Sequence, residues 1–89
     1  MAIAILKIKV MPEQKYDLEK LKKEIQDKIS QAKGSVNKIE EEEVAFGLKC
    51  LIATIAWPEE KNTEEAEQAI KNIKGVSSLD IIDYRRAFG

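Results

Sequence analysis

Apolar and other residues alternate from the start of the chain, and the alternation predicts a strand over residues 3–11. Ala4, Leu6, Ile8 and Val10 share one face, with Ile3, Ile5, Lys7 and Lys9 on the other. Pro12 ends that strand by removing a ladder donor. The spacing then lengthens: Leu18, Leu21, Ile25 and Ile29 form a helical stripe behind Asp17, a capping residue, with Gly34 expected as its stop. Residues 35–43 read as a more polar strand anchored by Val36 and Ile39. Residues 48–57 form the strongest strand, closed by Pro58. Asn62 or Thr63 begins a second helix with Glu64 and Glu65 in its first turn, where the macrodipole favours acids. Ala66, Ala69, Ile70 and Ile73 supply its apolar face, and Lys74-Gly75 is expected to close it. A last strand runs from Val76 to about Arg86.

The order β-α-β-β-α-β points to an α+β, ferredoxin-like two-layer sandwich: a four-stranded antiparallel sheet with both helices on one face. Right-handed crossovers leave few alternatives. The other sheet face stays open. Strict alternation places some of Ile3, Ile5, Lys7 and Lys9 there, together with Leu51 and Ile55 from the third strand. A face that apolar is a candidate interaction surface. The fold by itself selects no function.

Composition narrows the classes. Eighty-nine residues make one expected domain, 1–89, with a modest core. Fifteen basic and 16 acidic side chains leave a net charge of −1, against the basic excess usual in nucleic-acid binders. The bias to Lys and Glu resembles heat-adapted surfaces. One cysteine, Cys50, excludes an internal disulfide. No apolar run is long enough to span a bilayer, and Lys7 comes too early for a signal peptide, so the expected location is cytoplasmic.

Candidate chemistry is sparse. There is no histidine, hence no imidazole base, ligand or triad in the usual form. The glycines, at 34, 47, 75 and 89, are too scattered for a phosphate loop. Glu40 to Glu43 lie on a strand, where alternate carboxylates diverge, so a solvated edge is expected there and no metal site. RNA-recognition sheets of this topology place aromatics on the central strands, where this chain has lysines and aliphatics. Two features remain. Phe46, in Val44-Ala45-Phe46-Gly47-Leu48-Lys49, either plugs the end of the core or projects toward a partner. Arg85 and Arg86, the only arginines, are sent to opposite sides of the last strand by alternation. Their planar forks suit carboxylates and phosphates.

Together these segments resemble archaeal translation elongation factor 1-beta and the carboxy-terminal exchange domain of its eukaryotic relatives. The resemblance covers the whole chain from Ile8-Lys9-Val10-Met11-Pro12 onward. Ala45-Phe46-Gly47-Leu48-Lys49 is similar to the family's Gly-Phe-Gly-Ile-Lys, and Val76-Ser77-Ser78-Leu79-Asp80-Ile81 to its Val-Gln-Ser-x-Asp-Ile. Tyr84, Arg85, Arg86 and Ala87 stand where the second motif continues. The resemblance implies a guanine nucleotide exchange factor for elongation factor 1-alpha, without covalent chemistry or cofactor. It implies partner contacts at Phe46, Lys49, Tyr84, Arg85 and Arg86. The residue matching Phe46 docks on a β-barrel domain of the GTPase, and the lysine matching Arg86 enters the nucleotide site near magnesium. Arg86 keeps that charge on a bulkier group, and Ser77 replaces a common glutamine.

Two other classes stay open on the residues alone. A ferredoxin-like metabolite-binding regulatory module would need a glycine-rich loop, and Pro12-Glu13-Gln14-Lys15-Tyr16 has none. A ribosome-associated protein is disfavoured by the net charge of −1.

Overall fold

The computed structural model describes residues 2–45 and 47–87. Its elements are β1 (Ile3–Pro12), α1 (Leu18–Gln31), β2 (Ser35–Glu43), β3 (Lys49–Pro58), α2 (Thr63–Lys71) and β4 (Val76–Ala87). The strands form one antiparallel sheet in the order β2-β3-β1-β4. This is the expected ferredoxin-like arrangement, with the core between the sheet and the helices.

Ala4, Leu6, Ile8 and Val10 are fully buried, and across the ladder they meet Trp57, Ile55, Ala53 and Leu51. Directly opposed residues share a face, so Leu51 and Ile55 point at the helices and not at the open side. That corrects the expected phase of β3. The outer face of β3 carries Cys50, Ile52, Thr54 and Ala56 instead. β3 lies between two strands and is nearly buried on both faces, so its continuous apolar run left the phase undetermined.

β2 has two anchors, Val36 and Ile39, three residues apart, which simple alternation would place on opposite faces. A register shift between Val36 and Lys38 resolves the conflict: Val36 faces Ile55 and Ile39 faces Ala53, both in the core layer. β4 has a comparable irregularity. Lys7 pairs with Asp83 and Ile8 with Ile81, which leaves Ile82 as the extra residue. Tyr84 and Arg86, opposite Leu6 and Ala4, are thereby returned to the helix side along with Leu79 and Ile81. On the open side Lys7 faces Asp83 and Lys9 faces Asp80, opposite charges in direct register.

Asp17 caps α1 by accepting from the backbone N–H groups of Glu19 and Lys20, and Asn62 caps α2 through the N–H of Glu64. Lys33, not Gly34, takes the left-handed position after α1, at φ +72°. Gly34 is a glycine for another reason: its Cα lies against Trp57 and Ile29. Gly75 likewise packs its bare Cα on the Tyr16 ring. α2 stops earlier than expected, at Lys71 with Asn72 as its C-cap.

Candidate functional site

The sites expected from sequence fall at opposite ends of the sheet. Lys49 begins β3, whereas Arg86 lies level with Ala4 and Trp57. Trp57 lies eight steps along β3 from Lys49, about 26 Å at roughly 3.3 Å per residue. The long axis of the molecule, 41 Å, accommodates that separation.

At one end the β2–β3 turn is closed by Val44 N–H donating to the Leu48 carbonyl (2.8 Å) and Leu48 N–H to the Ala45 carbonyl (2.9 Å). Gly47 has φ +75°, a conformation side chains with a Cβ rarely adopt, so the turn favours glycine there. Phe46 lies outside the described residues. Its neighbours Val44 and Leu48 are exposed, at 45% and 47%, and present an apolar tip. A cleft beside this tip is bordered by Met11, Tyr16, Leu18, Leu48 and Lys49.

Charges brace the base of the hairpin. Lys22 of α1 bonds Glu41 at 2.9 Å and Glu19 at 3.2 Å, and Glu41 also lies 3.8 Å from Lys49. The ammonium holds the Glu41 carboxyl below its usual range, and the two carboxylates raise the Lys22 amine above its own. Glu40, Glu42 and Glu43 are exposed, and among the described residues no cluster of acids could hold a metal ion.

At the other end Tyr84, Arg85 and Arg86 follow one another near the end of β4, Arg85 on the opposite face from the other two, and all are exposed. Arg85 donates to Asp83 at 3.0 Å on the open face. Arg86 is on the helix side, where its Nε lies 2.9 Å from an oxygen of Glu59. Its side chain is still 72% exposed. Neither Glu59 nor Ile82 stands out in the sequence. Ile82 is 49% exposed and is the extra residue of the bulge. Glu59, just beyond the end of β3, has no chemical pattern around it and is recognised only from the folded register.

The sequence pattern of the EF-1 guanine nucleotide exchange domain matches residues 5–87. Elongation factor 1-beta of Methanothermobacter thermautotrophicus is 43% identical over 97% of this chain and 98% of its own length. The protein of that name from Methanosarcina barkeri is 43% identical over 90% of this chain and 92% of its own. That from Methanobrevibacter smithii is 40% identical, with 97% and 98% covered. A match running from the first strand to the last, and nearly end to end in each relative, means that this chain belongs to the EF-1 guanine nucleotide exchange domain family.

Proposed function

We infer that this protein is a guanine nucleotide exchange factor that promotes GDP release from elongation factor 1-alpha, with residues 1–89 acting as one exchange domain. Among the described residues the exposed large apolar side chains are Val44, Leu48, Ile82 and Tyr84. All lie in or beside the two segments that resemble the family's motifs. That coincidence carries the reading. Elsewhere the surface is dominated by Lys and Glu, as a chain with 35% charged residues requires.

The roles are those that the family resemblance implies. Phe46, between two exposed aliphatics, docks in an apolar pocket of the GTPase, with Lys49 beside it. Tyr84, Arg85 and Arg86 engage the nucleotide-binding domain from the far end of the sheet. A guanidinium brought near the magnesium position competes with the metal and weakens its hold on the phosphates. The factor accelerates release because it binds the GDP-free state more tightly than the loaded one. No bond is made or broken, so the reading assigns no covalent catalysis and no cofactor. It assigns a protein partner, no direct nucleic-acid contact, no membrane association and a cytoplasmic location. The matched charges across β1 and β4 support the absence of a phosphate-tracking surface.

The deciding measurement is release of fluorescent GDP from elongation factor 1-alpha with increasing amounts of this protein. A saturable acceleration is expected. A rate that stays at the GTPase's intrinsic value would refute the assignment.

A further inference from the structure

The contact between Arg86 and Glu59 bears on how the exchange residue is held before it meets its partner. Arg86 lies on β4, its ladder partner Ala4 is on β1, and Trp57 lies beyond on β3. Glu59 comes two residues after Trp57, and its N–H donates to the Ala2 carbonyl at 3.1 Å. The arginine therefore crosses β1 to reach a carboxylate anchored beyond it. Ala4, directly beneath the crossing, is small enough to leave that path open. Glu59 is the less exposed partner, 23% against 72% for Arg86. The less exposed acid thus holds the more exposed base back over the factor's own surface.

We propose that Glu59 is a positioning residue that parks the Arg86 guanidinium on the free factor, and that the ion pair must open before Arg86 can enter the nucleotide site. This rests on the exchange role read for Arg86. A parked side chain lowers the fraction of factor that is competent to dock, and the apparent affinity falls by that fraction. An exposed ion pair is a modest restraint, so its removal frees the arginine by roughly two- to fivefold. The restraint is also electrostatic, so salt screens it.

The test measures initial rates of fluorescent GDP release from the GTPase at limiting factor, with the parent, Glu59→Gln, Glu59→Ala, Arg86→Ala and the double variant Glu59→Gln/Arg86→Ala. At low salt Glu59→Gln and Glu59→Ala are expected to exceed the parent by about two- to fivefold. Their advantage should disappear at high salt and in the Arg86→Ala background, while their thermal melts match the parent's. If Arg86→Ala slows release but both Glu59 variants run at or below the parent rate, the parking role is wrong and the role of Arg86 stands. Equal stimulation of the Arg86→Ala factor by Glu59→Gln would also overturn it, since the carboxylate would then act by general repulsion. If Arg86→Ala matches the parent, the reading of Arg86 fails and the inference fails with it.

Discussion

Gly34 and Trp57 meet where a methyl group could not fit. A Cβ on Gly34 would stand 2.6 Å from Cε3 of the indole and 2.9 Å from Cζ3, and it would also lie 2.9 Å from Cγ2 of Ile29. This contact lets the chain leaving α1 pass over the fully buried Trp57 and enter β2. Gly34→Ala should therefore destabilise the fold by about 1–3 kcal/mol through overpacking. Urea denaturation of the variant beside the parent gives the value directly, and unchanged stability would mean that the ring moves aside freely.

Phe46→Ala should weaken association with elongation factor 1-alpha by about 2–4 kcal/mol, the range for a buried aromatic anchor. Its melting temperature should stay near the parent's. A core role would reverse the pattern, with stability lost and affinity kept.

Arg86→Ala should slow stimulated GDP release at least tenfold, about 1.4 kcal/mol. Arg86→Lys should keep most of the activity, because the role calls for a cation more than for a fork. Arg85→Ala should matter less, since Arg85 faces the other side of the sheet and pairs with Asp83. Stimulation should shrink as free magnesium rises, and a rate indifferent to magnesium would argue against competition for that site.

Tyr16 donates its hydroxyl to Glu24 at 2.5 Å, and this bond, followed by desolvation and the nearby acids, raises the phenol above its ordinary value of about 10. A raised folded value means that the stabilisation is complete below the ordinary value and is lost as pH climbs through the folded one. Near-ultraviolet titration should show a late tyrosine step. Glu24→Gln should bring that step down.

The Lys22–Glu41 bond stabilises the fold between the pH extremes and is lost at both. Glu41 is depressed, so its contribution is present above about 4.5 and is lost as pH falls through the lower folded value. Lys22 is raised, so its contribution is present below about 10.5 and is lost as pH rises through the higher folded value. The difference in melting temperature between the parent and Glu41→Gln should be flat near neutrality and should collapse in strong acid. A difference that persists there would assign the effect to packing.

The order of elements, the caps at Asp17 and Asn62 and the buried face of β1 could be read from the chain, because each is a local decision. A period of two or of 3.6, a side chain able to accept from the next turn's N–H groups, and a proline at a strand end all act within a few residues. Phe46 and the two arginines could be picked out for a different reason, the motifs around them. What the chain alone left open depends on neighbouring strands. The phase of β3 is set by its register on β1, since Leu51, Ile52 and Ile55 are all apolar enough for either face. The shift at Val36–Lys38 keeps Val36 and Ile39 both on the core, and the extra residue Ile82 shows only in the pairing of β4 with β1. That second irregularity turns Arg86 to the helix side, where Glu59 waits across β1. A pair separated by 27 positions in sequence comes within 2.9 Å only because three strands are stacked in the order β3-β1-β4. Alternation along one strand carries no information about that distance.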